Sequence, residues 1–272
     1  MAVLDLFTEN SKKLITFIKI VKFRQVGLLM FTKDGFQITT EDSHTFQGNF
    51  YIGKDLFNRF HLEKTYLSFK INLSILLDCL ALFGVSKSGQ TMLNIRMESV
   101  GDTLDILLEE NGVFATCKIK TLPAVDLLSF DTINQEELVK IVFLVIEISV
   151  IPEGFNQSPM IRFTTHGFAG TMNFDFPKSS NQVIMFENNI TDLIIYRYKM
   201  DILIPNINKA MSNSDRVSLR INENGFLCLR FLMNDSDNNQ FFEFYCVADE
   251  DLDGEIASAK LDLREELLML HT

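Results

Sequence analysis

Residues 65–84 read TYLSFKINLSILLDCLALFG, and this stretch decides the fold class. Its first half, TYLSFKI, alternates apolar and polar as a half-buried strand does. In its second half Leu73, Leu76, Leu77 and Leu80 recur at helical spacing, and Gly84 is a plausible stop. A strand running directly into a helix appears again at YRYKMDILIPNINKAM, 196–211, where Tyr196 takes the place of Tyr66. The strands that follow also match. LNIRM (93–97) corresponds to VSLRI (217–221), and Asn111-Gly112 and Asn224-Gly225 provide the hairpin turns. The offset is about a domain length. Two related domains in tandem, each of the α+β class, are expected, with a coincidental likeness of two hairpin runs as the alternative.

Working outward, VGLLMFTK, FQITTE and HTFQGNFYI around Asp34-Gly35 have the spacing of antiparallel hairpins. TMLNIRM, TLDILLEE and VFATCKIKT read as three more strands. TLPAVDLLSF (121–130) suits a surface connector. The resulting domains are 1–121 and 131–248, joined by 122–130 and followed by an acidic flexible tail over 249–272.

The 272 residues include 47% apolar ones and carry a net charge of -11, enough apolar material for a substantial core. So negative a chain cannot hold nucleic acid over its whole surface, and any DNA-facing region must be confined. The longest apolar run, Ile141–Ile151, is too short to span a bilayer and contains Glu147. No secretion signal opens the chain, so an intracellular protein is expected. Cys79, Cys117, Cys228 and Cys246 form no Cys-x-x-Cys pair and read as buried free thiols.

Segment 10–22, NSKKLITFIKIVK, carries the chemistry. Asn10 or Ser11 can cap it, and Leu14, Phe17, Ile18 and Val21 share one face. Lys12 and Lys19 lie opposite, flanked by Lys13 and Lys22. An ordinary solvated lysine face fits this helix equally. Against it stands the concentration of four of the chain's 25 basic residues in one short segment.

Phosphate-loop, dinucleotide, zinc-protease and nucleophile-elbow motifs are missing, and His44, His61, His166 and His271 are isolated from one another. No catalytic residue, metal site or cofactor is expected. Asp249, Asp251, Asp253 and Gly254 imitate the start of a calcium loop, but Lys260 stands where its closing Glu is required. A Mg²⁺-dependent nuclease would need a carboxylate cluster, yet Asp102, Asp105, Glu109 and Glu110 read as strand and turn surface.

The runs SFKINLSILLDCLALFG (68–84), LLEENGVFATCKIKT (107–121), TTHGFAGTMNFDFPK (164–178), RVSLRINENGFLCLRF (216–231) and FFEFYCVADED (241–251) closely resemble the Rad-one family of checkpoint-clamp subunits, relatives of PCNA. The likeness runs from about residue 3 to 251 in constant order. It implies two clamp domains per subunit, with antiparallel sheets outside and helices lining a DNA channel. Three subunits of this kind close a ring. By the resemblance Lys12, Lys13 and Lys19 match channel lysines of the first helix and Lys209 one on the last, with Lys22 beside them. The second helix departs from the PCNA pattern, having Asp78 and Ala81 where lysines stand. Subunit contacts map to the edge strands 112–121 (Val113, Ala115, Cys117, Ile119) and 168–176 (Phe168, Met172, Phe174), which an ordinary protected sheet edge would also fit.

A second departure lies at 131–151, where the family has strand, channel helix and strand but this chain is about a dozen residues short. Either KIVF and LVIEIS are strands and the helix is deleted, which is the favoured reading, or a short helix over 134–144 replaces the first strand. The resemblance implies a non-catalytic, nuclear member of a heterotrimeric clamp. Its partners would be two related subunits, duplex DNA without sequence specificity, an ATP-driven loader, and checkpoint and repair proteins, with no membrane. A homotrimeric replication clamp and a DNA-independent scaffold are the alternatives. Clients of PCNA-like clamps dock beside the connector 121–130.

Overall fold

The computed structural model describes residues 2–9, 11–43, 45–83, 91–124, 139–141, 148–152, 158–167, 170–199, 203–233, 240–249 and 254–269. The chain divides into two compact units. The first comprises residues 1–128 together with 206–213 and 232–243, and the second comprises 129–205, 214–231 and 244–272.

In chain order the first unit opens with β1 (Leu4–Thr8), α1 (Ser11–Val21), β2 (Val26–Thr32), β3 (Gly35–Asp42) and β4 (Phe46–Gly53). A short 3-10 turn leads to β5 (Arg59–Leu62), β6 (Tyr66–Asn72), α2 (Leu73–Leu80), β7 (Met92–Met97), β8 (Leu104–Glu110), β9 (Val113–Ile119) and β10 (Leu122–Pro123). One antiparallel sheet runs β5-β1-β7-β8-β9, and β10-β6-β2-β3-β4 lie side by side in another. Asn111 (φ 52°) and Gly112 (φ 78°) both take the left-handed conformation. This is the two-residue turn whose twist matches its flanking strands, as the Asn-Gly pair predicts. Of the expected connector 122–130 only residues 122–124 are described, with Leu122 and Pro123 paired with Lys70 and Phe69 of β6.

Five of the eleven residues of α1 are β-branched, so intrinsic propensity does not explain it. Burial does. Ser11, Leu14, Ile15, Phe17, Ile18, Ile20 and Val21 are all buried, a wider face than the four residues expected. Phe17 meets Phe50 of β4 with ring centroids 4.6 Å apart. The Thr40 hydroxyl donates to the Val21 carbonyl at 2.6 Å, satisfying an acceptor that the helix end leaves open. In α2 the Asn72 side chain accepts from the Ser74 and Ile75 amides at 2.9 and 3.1 Å, an N-cap worth about 1 kcal/mol. Its four leucines are buried as the spacing predicts. The helix ends at Ala81 rather than at Gly84, which lies outside the described residues.

The second half of the chain continues with β11 (Val139–Ile141), β12 (Ile148–Ile151), β13 (Met160–Gly167), β14 (Gly170–Pro177), β15 (Phe186–Asn188), β16 (Ile194–Tyr196), α3 (Leu203–Met211), β17 (Ser214–Ile221), β18 (Leu227–Met233), β19 (Phe241–Cys246) and α4 (Glu255–Met269). β14-β13-β12-β16 form an antiparallel four-stranded sheet, and β11 pairs with β15 on one side and β17 on the other. The order strand, helix, three strands recurs as β6-α2-β7-β8-β9 and β16-α3-β17-β18-β19. Gly225 (φ 74°) turns the β17–β18 hairpin, and any Cβ there would fall 2.6 Å from the Tyr196 ring. Tyr196 and Tyr198 donate to the carbonyls of Glu223 and Gly225, both at 2.9 Å, which fixes the turn.

Two expectations meet the structure here. β11 overlaps KIVF at Lys140 and Ile141, where it is strand and not part of a helix over 134–144, and β12 overlaps LVIEIS at Ile148 and Ser149; the rest of the segment, 131–138 and 142–147, lies outside the described residues. The flexible tail over 249–272 is corrected. It contains the 15-residue α4, whose Leu263 and Leu267 complete a core with Ile151, Met160, Leu193 and Ile195. Burial of those two leucines orders a segment that is otherwise highly charged. Arg162, 7% exposed at its side chain, binds Asp175 through Nε and Nη2 at 2.6 and 2.9 Å. Its Nη1 reaches both Glu266 oxygens, at 3.0 and 3.1 Å. The Asp175 hydrogen bond, and less so Glu266, raises the guanidinium pKa further. A nearly buried charge is thus fully paired across β13, β14 and α4.

Candidate nucleic-acid interface and sheet edges

Along α1, Lys12 and Lys13 are half-buried in the first turn and Lys19 is exposed in the last. Lys22 follows the helix, its amide donating to the Ile18 carbonyl at 2.9 Å. Lys209 is exposed in the last turn of α3. Lys19 and Lys209 sit where a helix dipole favours cations. Lys12 and Lys13 oppose it, in a first turn with no acidic residue, at a cost of about 0.3–1 kcal/mol each. A lysine face selected for helix stability alone would place its cations at the other end.

The strands expected to contact neighbours occupy the ends of their sheets, β9 in one and β14 in another. Val113, Ala115, Cys117 and Ile119 are paired with Glu110, Leu108, Ile106 and Leu104 and share their face, with Ile119 buried. Cys117 meets the α2 thiol Cys79, whose pKa is pushed up to about 12 by burial and then by the Cys117 hydrogen bond. Phe114, on the other face, is 62% exposed and was not among the expected residues. It is a large apolar side chain on an edge strand, and the odd-numbered alternation skipped it. On β14, Met172 and Phe174 are 57% and 42% exposed. Phe168 lies outside the described residues.

The remaining candidates separate. Asp105 is paired with Lys118 at 3.0 Å, and Glu110 accepts from the Thr91 hydroxyl. Among the described residues no group of three His, Cys, Asp or Glu side chains is arranged to hold a metal. Asp251, Asp253, His44 and His271 lie outside them. Cys228 and Cys246 are buried thiols, and burial followed by the neighbouring Cys228 raises the Cys246 pKa.

Three aspartates link the fold to pH. Burial pushes the Asp42 carboxyl up, but hydrogen bonds from Arg24 and Ser43 and the Arg24 charge outweigh it. The Thr103 hydroxyl lowers Asp105, assisted by Lys118, and the Leu193 amide followed by Arg264 lowers Asp192. All three lie below the unfolded value of 3.8. Their stabilisation is therefore complete above that value and is lost as pH falls through the folded values. The melting temperature should drop as pH is lowered below about 4, and Asp42→Asn should flatten part of that drop. Identical acid profiles for Asp42→Asn and the unmodified chain would remove Asp42 from this account.

The family described as "Repair protein Rad1/Rec1/Rad17" matches residues 3–144 and 136–233. The cell cycle checkpoint protein RAD1 of Mus musculus is 34% identical over 90% of this chain and 91% of its own length. The human protein of the same name is 32% identical with the same coverage. Among solved structures, the PCNA2–PCNA3 complex of Sulfolobus tokodaii superposes with a TM-score of 0.67 at 16% identity, covering 90% of this chain and 98% of that one. The proliferating cellular nuclear antigen of Entamoeba histolytica gives 0.66 at 13% identity, covering 92% and 100%. The fold is that of PCNA-like clamps, and with the family match over nearly its whole length the chain belongs to the Rad1/Rec1/Rad17 repair-protein family.

Proposed function

We propose that this chain is one subunit of a heterotrimeric ring that encloses duplex DNA at sites of damage and holds checkpoint and repair proteins there. The observation that carries this reading is the placement of Lys12 and Lys13 against the α1 dipole, with Lys19 on the same helix, in a chain of net charge -11. Together with Lys209 and Lys22 these cations face the phosphates, which they hold without reading sequence. Edge strands β9 and β14, each at the end of its sheet, each add to a strand of a neighbouring subunit. Topological linkage supplies retention, so an ATP-driven loader opens and closes the ring and this subunit performs no chemistry itself. It acts in the nucleus. The domains remain 1–121 and 131–248 about the connector 122–130.

Co-expression with two related clamp subunits should give a one-to-one-to-one complex that can be loaded on nicked circular DNA. A stable homotrimer of this chain alone would overturn the heterotrimer. In the assembled ring, Lys12→Ala, Lys13→Ala and Lys19→Ala together should lower the slope of log affinity against log salt by about 0.9 for each lost phosphate contact. Unchanged loading and salt dependence would end the phosphate-facing role of α1.

A further inference from the structure

The solvent-facing side of the β5-β1-β7-β8-β9 sheet carries a row of alternating charge. Asp5 of β1, Arg96 of β7, Asp105 of β8 and Lys118 of β9 lie directly opposite one another in successive strands. Neighbours in such a row stand about 5 Å apart, where opposite charges attract and like charges repel. The row stops at Lys118, because β9 ends the sheet. Lys118 binds Asp105 at 3.0 Å, yet its side chain stays 66% exposed, and an ammonium group has three donors. The same face of β9 shows Phe114, opposite Glu109 and 62% exposed. A strand added to β9 therefore meets a cation and an aromatic ring at fixed positions along one face.

A second copy of this chain is a poor match for that face. Identical subunits in a ring join head-to-tail, which with these two edges as the contacts sets β9 of one copy against β14 of the next. The apolar face of β14 carries Met172, Phe174 and Phe176, opposite Thr165, Phe163 and Ile161, and its other face carries Thr171, Asn173 and Asp175. An antiparallel pairing that aligns the apolar faces along most of both strands puts Lys118 opposite Thr171 or Asn173, and Phe114 opposite Asp175 or Pro177. Bringing Lys118 to Asp175 leaves only 116–119 paired with β14, and Arg162 already holds both Asp175 oxygens. Self-pairing thus covers the cation without a facing carboxylate and sets the ring against a carboxylate or a proline, either of which disfavours it.

We propose that β9 selects a strand of a different subunit, one that carries an acidic residue opposite Lys118 and an apolar residue opposite Phe114. The inference rests on the reading of β9 as a subunit contact and names the chemistry of its partner. The acidic residue continues the alternating row into the neighbour, which fixes register as well as identity.

The test measures, by sedimentation, association of the full chain with each of the two related clamp subunits. Lys118→Glu should weaken association with one of them at least about tenfold, since attraction becomes repulsion, and leave the other unchanged. Lys118→Gln, which removes the charge without reversing it, should cost that same contact only about threefold. Added salt should weaken the unmodified contact and strengthen that of Lys118→Glu. Changing the facing carboxylate of the partner to Lys should restore binding to Lys118→Glu. The melting temperature of each variant alone separates a lost contact from a damaged fold. Lys118→Glu that weakens both associations equally, or neither, overturns the proposal, as does failure of every acidic-to-Lys change on the partner's edge strand to restore binding. Phe114→Glu distinguishes the two readings. If it breaks association while Lys118→Glu does not, β9 remains a subunit contact and only the charge selection fails. If neither change affects association, the contact at β9 fails with it.

Discussion

Phe50→Ala is expected to destabilise the first unit by about 3–5 kcal/mol, measured by denaturant unfolding of the full chain. Phe50 is fully buried at the centre of an aromatic group, 4.6 Å from Phe17 of α1 and 4.1 Å from Phe242 of β19, stacked on the latter at 20°. Truncation removes the transfer free energy of the ring and leaves a void between a helix and two strands, which cannot collapse without moving all three. The substitution also withdraws support from the helix that carries Lys12, Lys13 and Lys19. Phe50→Leu, which keeps most of the volume, should cost markedly less. Equal losses for the two variants would mean that ring stacking, rather than filled volume, sets the stability here.

Met172→Glu with Phe174→Glu should abolish association with a neighbouring subunit while leaving the fold intact. Both side chains project from the outermost strand of their sheet, and neither is buried in the chain alone. Exposed positions of this kind change stability by only about 0.5 kcal/mol when substituted. At the centre of an interface each apolar anchor is worth about 2 kcal/mol or more, so the pair should weaken assembly by at least about a hundredfold. Sedimentation of the mixed subunits reads the association, and thermal unfolding of the variant alone reads the fold. Phe114→Glu on β9 probes the opposite edge in the same way. Assembly that persists with both edges altered would move the subunit contacts off β9 and β14.

Much of this organisation is legible in the sequence because periodic burial writes it there. The four leucines of α2, the hairpin at Asn111-Gly112 and the second copy of the strand-helix-strand pattern are local signals, and each forms where the spacing places it. The short strands β1, β5 and β15 give no such signal, since three to five residues are too few to establish alternation. α4 is obscured for a different reason. Its buried contacts rest on Leu263 and Leu267, with Ile256 and Ala259 partly buried beside them, and the charged residues between conceal that spacing. The lysines of α1 are visible as a cluster, but their conflict with the helix dipole depends on where the helix begins.

The division of the chain into units also bears on its synthesis. The first unit is not a contiguous segment, for it includes residues 206–213 and 232–243. When residue 128 has left the ribosome, Phe17 and Phe50 are available to each other, but Phe242 has still to be made. That core stays open until more than a hundred further residues have been translated, at about 5–20 residues per second. For several seconds the nascent chain exposes an aromatic surface that its own later segment will cover. A helper that shields such surfaces should therefore act on this protein late in translation, after its amino-terminal half is already complete.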